Sequence, residues 1–365
     1  MVVISNSIGS MLRFSVYGES HGKRIGAVLE GVPKGVKVER EYVQRELDRR
    51  RSATFLTTAR MEPDIVEILS GLKDGITTGE TVRMEIKNRD VRSDVYVIGR
   101  DFIRPGHADY TAREKYRSVF DYRGGGFLSG RMTASFVAAG AVAKKILAMK
   151  GVRVISHIVQ IGNVMIDSNP SDEDIESSET GGQIKCVNPR TSRKMQEAIE
   201  DAMRQGDSLG GIVECRIVGL GVGVGEPIFH SLESEIAAAM FAIPAVKGVE
   251  FGSGFKGAAM RGSENNDPFA ITEGRIVTLT NNSGGILGGI SNGMTVVFRV
   301  AFKPTSSISR VQRTVNYSKS EEAKFLVKGR HDPCIAVRAP PIVEAMAALT
   351  IADLVMISGV YEEGR

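Results

Sequence analysis

The stretch Lys328 to Met346, KGRHDPCIAVRAPPIVEAM, constrains this chain most, because a loop crowded with charge runs straight into an apolar helix, PPIVEAMAALTIADLVM. A helix of that composition belongs in a core, and the charged loop must then sit at the core's edge. Asp332 lies between His331 and Pro333, with Arg330 just before and Arg338 after, so nearby positive charge would hold its carboxylate ionised. Such a setting serves either a buried ion-pair knot or a base. The stretch alone leaves both open.

The rest of the chain gives that helix something to pack against. At 365 residues the sequence is long enough for two ordinary domains or one large one. A helix is expected over Glu39 to Arg51, where Val43 and Leu47 stand four apart and Arg49, Arg50 and Arg51 end the last turn. An alternating strand is expected over Thr81 to Ile86, and others over Val152 to Ile161 and Ile212 to Val218. The Ala-rich segment that follows Arg131 reads as a helix, as does SRKMQEAIEDAMRQG, with Met195, Ile199 and Met203 as its core stripe and Gly206 as its cap. A further helix is capped by Ser231 and ended by Pro244. Helical and strand segments alternate irregularly without a repeat, which favours mixed α and β in one large unit.

Charge narrows the function classes. Lys and Arg number 47 against 43 Asp and Glu, and the basic clusters are short and interleaved with Gly, Pro and acids. A nucleic-acid surface would concentrate them beside stacking aromatics, and a small polyanion is an equally good reason for local positive charge. The three Cys share no C-x-x-C spacing, which supports neither a disulfide framework nor a zinc site. No basic leader precedes an apolar run at the N-terminus, and the uncharged run from Met132 to Ala143 is short of the roughly 20 residues that span a bilayer. These features point to a cytoplasmic protein with no membrane and no nucleic-acid partner.

Glycine is the compositional outlier, with 41 residues in 365, above the usual share of about 7%. It clusters where chemistry-bearing side chains also fall. His21 sits in the turn GESHG, His107 follows Pro105 and Gly106, and RGGGFLSGRM leads into a helix start whose free amides suit an anion. A second Gly-rich loop spans Asn281 to Met294, and FKPTSSISR offers an ammonium, hydroxyls and a Pro-stiffened backbone as a cradle for phosphate or a ring carbonyl.

GESHG at Gly18 to Gly22, IRPGHADYT at Ile103 to Thr111, DYRGGG ending at Gly126, GGILGGISNG, KPTSS and RHDPCIAVRAPPIVEAM together resemble the chorismate synthase family, in the same order and along nearly the whole chain. The resemblance implies an α+β fold, a β-α-β sandwich of antiparallel sheets enclosing helices, as one domain over residues 1–365 assembled into a homotetramer. It also implies a carbon-oxygen lyase of the shikimate pathway of aromatic amino acid biosynthesis. Such a lyase converts 5-enolpyruvylshikimate 3-phosphate into chorismate by 1,4-anti elimination of phosphate, using reduced FMN without net redox change. NADPH would enter only indirectly, through a separate flavin reductase.

By the same resemblance His21 is the general acid for the departing phosphate, His107 protonates or holds the reduced flavin, and Asp332 works beside the flavin in taking the carbon-6 hydrogen. Arg50, Arg131 and Arg338 are the expected clamps for the substrate's phosphate and carboxylates. The flavin would lie on Phe127, Leu128 and Ser129, on Pro244 and Ala245, on Gly288, on Lys303, Pro304, Thr305, Ser306 and Ser307, and beside Arg330. The chain departs from the family where GGGRSSARET is usual and GGGFLSGRMT stands instead, and where Pro244-Ala245 replaces an Asn-Ala corner.

Overall fold

The structure, a computed structural model, describes residues 6–51, 56, 63–89, 100–117, 121, 123–178, 184–327 and 331–361. Two five-stranded antiparallel sheets lie on either side of two central helices. The first sheet runs in the order Ser7–Ile8, Arg13–Gly18, Arg24–Glu30, Val82–Lys87, Val66–Ser70. Val82, Met84 and Ile86 are buried at every second position, and Arg83 and Lys87 alternate with them on the outside. The second sheet runs Val246–Phe251, Val296–Phe302, Gly211–Val218, Arg153–Ile161, Val164–Met165. Here Val296, Phe298, Val300 and Phe302 form the inward row, the period-2 alternation of a sheet with one covered face.

Helix Thr133–Ala148 faces the first sheet and helix Pro340–Ser358 the second, and the two pack on each other along much of their length. Every residue from Pro340 to Val355 is buried. By length and composition Pro340–Ser358 could cross a membrane, but 83% of its apolar stretch is buried inside the protein, which is the place of a core helix. The helices cross closely at Gly140. A Cβ built there would lie 2.3 Å from Ala345 Cβ and 2.4 Å from its Cα, so hydrogen is the only side chain this crossing admits.

Two carboxylates interrupt the apolar surface of Pro340–Ser358, and each ties it to another element. Asp353 accepts backbone N–H bonds from Ser10, Met11 and Leu12 at 2.9, 2.7 and 2.7 Å, which pins the start of the chain. Glu344 accepts from Arg49 at 2.8 and 3.0 Å, Lys144 at 2.6 Å, Lys185 at 3.0 Å and the Ser156 hydroxyl at 2.7 Å. Burial alone would push this carboxyl up, but Arg49, Lys144 and Lys185 outweigh it and hold it well below the usual range.

The sheet–helix–sheet sandwich expected from the resemblance is the architecture observed. The helix that ends in the three arginines spans Arg40–Arg51, and the expected strands appear at Arg153–Ile161 and Gly211–Val218. Met203 corrects one expectation: it is 41% exposed, while Met195, Ile199 and Ala202 are buried. Seven residues make nearly two helical turns, so Ala202 stays in line with Met195, whereas eight residues carry Met203 about 80° off the stripe. The three Cys are free and buried.

The Gly140 crossing generates a stability test. Gly140→Ala should lower unfolding free energy by about 1–3 kcal/mol, the usual cost of overpacking a closed core, and Ala345→Gly in the same chain should recover part of the loss. Chemical denaturation midpoints decide it. An unchanged midpoint for Gly140→Ala would mean that the helices can move apart freely.

Candidate active site

A cavity of about 260 Å³ opens where the C-terminal end of Arg40–Arg51 meets the start of Thr133–Ala148, the Ile243–Pro244 corner, Phe302 to Thr305, and the loop before Pro340–Ser358. Among the described residues that line it, four guanidiniums (Arg50, Arg51, Arg131 and Arg338) face two carboxylates, Asp64 and Asp332. The site is therefore electropositive.

Arg50 and Arg131 are nearly inaccessible and share one counter-ion. Arg50 donates Nη1 to Asp64 Oδ2 at 2.9 Å, Nε to Thr133 Oγ1 at 3.0 Å and Nη2 to the Gly130 carbonyl at 3.2 Å. Burial first, and then the charge of Arg338, push the Arg50 pKa down to about 9, with Asp64 opposing; at neutral pH the group keeps its charge. Arg131 donates Nη1 to Asp64 Oδ1 and Nε to Asn88 Oδ1 at 3.0 Å. Its Nη2 is buried without a hydrogen-bond partner. Arg338 donates Nη1 to Asp332 Oδ2 at 3.3 Å and Nε to the Arg50 carbonyl at 3.2 Å. The three expected clamps thus stand on one cavity, Arg50 and Arg131 joined through Asp64 and Arg338 joined to Arg50 through its backbone carbonyl.

Two more polar atoms at the cavity are buried and unpartnered, Thr305 Oγ1 and His331 Nε2. Burial and then Arg104 hold the His331 imidazole below its ordinary pKa, against the pull of Asp332. A neutral ring, a hydroxyl and a guanidinium N–H without protein partners in one cavity fit a polar ligand, since buried polar groups otherwise find partners.

The Lys303 to Ser307 loop is docked on the Arg104 to His107 loop. Lys303 Nζ donates to the Gly106 carbonyl at 2.5 Å and to Ser306 Oγ at 2.9 Å, and Ser306 Oγ donates to the same carbonyl at 2.9 Å. Gly106 permits this, because a Cβ there would stand 2.7 Å from Ser306 Oγ. The His107 ring bridges the two loops: Nδ1 lies 3.0 Å from the Pro105 carbonyl and Nε2 2.8 Å from Ser307 Oγ. The carbonyl can only accept, so Nδ1 carries the proton and Nε2 accepts from the Ser307 hydroxyl in the neutral ring. Burial, then Arg104, push the His107 pKa down to about 4. Lys303 N also donates to the carbonyl of Ala245 at 3.0 Å, and Ala245 takes a φ of 75°. The Pro244-Ala245 corner and the Lys303 loop are thereby one unit beside the cavity. Pro304 is its exposed member.

Ser129 lines the cavity and accepts from Arg131 N as the cap of the short turn Gly130–Met132. His21 does not line the cavity, but its turn is attached to it. Ser20 N donates to the Gly126 carbonyl at 3.2 Å, and Asn88 donates to the Glu19 and Gly22 carbonyls at 3.0 and 2.8 Å while accepting from Arg131. Asn88 therefore joins the His21 turn to an arginine of the anion site.

Three expected residues stand elsewhere. Phe127 and Leu128 line a separate, largely apolar cavity of about 650 Å³ on the other side of the Gly-rich loop, where Phe127 meets Tyr116 edge to face at 5.2 Å. Gly288 is in an exposed hairpin turn between Ile286–Leu287 and Ile290–Ser291. Arg330 lies outside the described residues. Sequence reasoning passed over Asp64, Asn88 and His331. His331 could have been found, since it adjoins Asp332 in the crowded loop. Asp64 and Asn88 carry no spacing signal, because their partners are 14 to 69 residues away. Among the described residues no His, Cys, Asp or Glu cluster is arranged to hold a metal ion.

The fold and the site find counterparts in known proteins. A family profile described as chorismate synthase matches residues 12–356. The chorismate synthases of Archaeoglobus fulgidus and Pyrococcus abyssi are 47% and 48% identical to this chain over 354 residues, 97% of this chain and 98% of each relative. That of Dehalococcoides mccartyi is 45% identical over 357 residues, 98% of both. A crystal structure of chorismate synthase is similar with a TM-score of 0.77 and 31% identity, covering 96% of this chain and 93% of that one.

The depressed His107 makes stability depend on pH with a definite sign. Its folded pKa of about 4 lies below the unfolded value of about 6.5, so between them the unfolded chain binds more protons. Stability is then complete above about pH 6.5 and falls as pH drops toward 4. Thermal midpoints of the wild type should fall more steeply across that window than those of His107→Gln. Parallel slopes would show that His107 titrates as an exposed imidazole.

Proposed function

The chain belongs to the chorismate synthase family, and on that premise we propose that it is a carbon-oxygen lyase which eliminates phosphate from 5-enolpyruvylshikimate 3-phosphate to give chorismate. The reaction breaks the carbon–oxygen bond to phosphate and removes a hydrogen from carbon 6, so phosphate and a proton leave and the ring gains a double bond. One observation carries the reading. The cavity holds more guanidiniums than carboxylates, with Arg131 Nη2 buried and unpartnered, which suits a substrate bearing a phosphate and two carboxylates.

Arg50, Arg131 and Arg338 bind the anionic groups in this reading and fix the ring's orientation. His21, on its turn tied to Arg131 through Asn88, gives a proton to the departing phosphate. Asp332 takes up the proton lost from carbon 6, and its bond to Arg338 fixes the carboxylate at the cavity. His107, neutral and with both ring nitrogens engaged, acts by holding a ligand against the Lys303 loop in preference to serving as a cation.

Reduced FMN fits the residues present, since Thr305 Oγ1 and His331 Nε2 lack partners at the cavity and the Lys303 to Ser307 loop and Pro244-Ala245 corner form one wall. When bound, the reduced flavin supplies transient electron density that lets phosphate leave ahead of the non-acidic carbon-6 hydrogen. Ser129, Pro244, Ala245 and Lys303 to Ser307 would hold it. We further propose a cytoplasmic homotetramer whose flavin is reduced elsewhere, by a separate NADPH-dependent reductase.

An anaerobic assay with reduced FMN and 5-enolpyruvylshikimate 3-phosphate tests the function. Chorismate should form with many turnovers per flavin and no net flavin oxidation; stoichiometric oxidation would sink the reading. Asp332→Asn should leave ligand binding largely intact and cut turnover, His21→Ala should lower turnover about 100 to 10,000-fold, and His107→Ala should lower it chiefly by weakening ligand binding. A silent substitution removes that residue from the chemistry.

A further inference from the structure

Asp64 is a buried carboxylate that no step of the reaction uses. Its side chain is 1% exposed, and its backbone adopts a φ of 46°, a left-handed conformation that Asp tolerates better than most residues. One carboxylate oxygen receives Arg50 and the other Arg131. Gln44 Nε2 donates to the Asp64 carbonyl at 3.2 Å, and Gln44 Oε1 accepts from Val66 N at 3.1 Å, so the segment is anchored to the same helix that supplies Arg50. Two guanidiniums held side by side repel each other, and Arg338 adds a third positive charge. Without a fixed negative charge between them, Arg50 and Arg131 would not stay together in a protein free of ligand.

We propose that Asp64 is a positioning residue of the anion site, a built-in counter-ion that holds Arg50 and Arg131 as a pair and, by occupying part of their charge, keeps phosphate from binding too tightly to leave. The inference rests on the proposed function in treating phosphate as the product, but its physical content is competition between a fixed carboxylate and a mobile anion. A purely architectural Asp64 predicts the opposite sign. In that case the scattering of the arginines on its loss would outweigh the removed competition, and anion binding would weaken.

The test uses inorganic phosphate as probe and the full chain. Asp64→Asn should melt at a lower temperature than wild type in chloride buffer. Phosphate should restore the melting temperature more than it raises that of wild type, and titration should give a dissociation constant lower by on the order of tenfold, the scale of one charge–charge contact in a water-like dielectric. Asp64→Glu retains the charge and should show no such gain. If Asp64→Asn fails to fold in chloride, refolding in phosphate at equal ionic strength should rescue it. Weaker or equal phosphate binding by a folded Asp64→Asn, equal gains in both variants, or a failed rescue would overturn the proposal. So would a wild type that binds no phosphate. Neither flavin nor substrate enters these measurements, so an absence of lyase activity would sink the proposed function and leave this result standing.

Discussion

Two buried carboxylates on adjacent arginines hold this protein in working order. Arg49 and Arg50 are consecutive, and on a helix consecutive side chains point about 100° apart. Arg49 turns into the interior and closes on Glu344, while Arg50 turns toward the cavity and closes on Asp64. The first contact fixes the Arg40–Arg51 helix to the central helix, and the second fixes the cavity's cation to the wall opposite. Removing Asp64 would leave the buried Arg50 without its carboxylate, a loss of about 3–5 kcal/mol in comparable pairs, whereas Arg49 and Lys144 would still have Glu46. The aligned helix and the anion site are consequences of the same short stretch of sequence.

That arrangement explains how a site built from loops can be rigid. The cavity draws on residues near 50, 64, 130, 244, 305 and 332, and few of them lie in regular elements. Side chains bonded to backbone carbonyls supply the order that helices and strands do not. Lys303 and Ser306 fasten one loop to Gly106, Asn88 fastens the His21 turn to Arg131, and Arg338 fastens the Asp332 loop to the last turn of the arginine helix. Each of these bonds joins segments far apart in sequence, so the site depends on the sandwich being complete.

The distance between partners also decides what could be read from the sequence. Local patterns were legible: the apolar helix after Pro340, the arginine helix, the alternating strands and the charged loop around Asp332 all rest on neighbours within a few residues. Met203 was misread because a four-residue spacing was extended past the point where a helix keeps its face. Asp64 was missed because nothing near it marks it; its partners come from a helix end and a glycine-rich turn. Gly288 was read from its glycine-rich loop; it stands at an exposed hairpin turn with a positive φ of 63° that such a turn requires, and nothing lies within 4 Å of a Cβ built there.

The cavity separates two kinds of charge, and this bears on how acid–base chemistry could run beside anion binding. Its guanidiniums keep their charge at any physiological pH, so their own share of the attraction for an anion does not titrate in that range. The imidazole of His331 is different. It lines the same cavity, and burial together with the positive charge of Arg104 holds it neutral. A polyanion settling beside it would cancel part of that positive field and raise its affinity for a proton. By linkage the anion would then bind with proton uptake, and bind better as the proton becomes easier to supply. Permanent charge thus recruits the ligand, and the ligand in turn adjusts the His331 ring that lines the cavity.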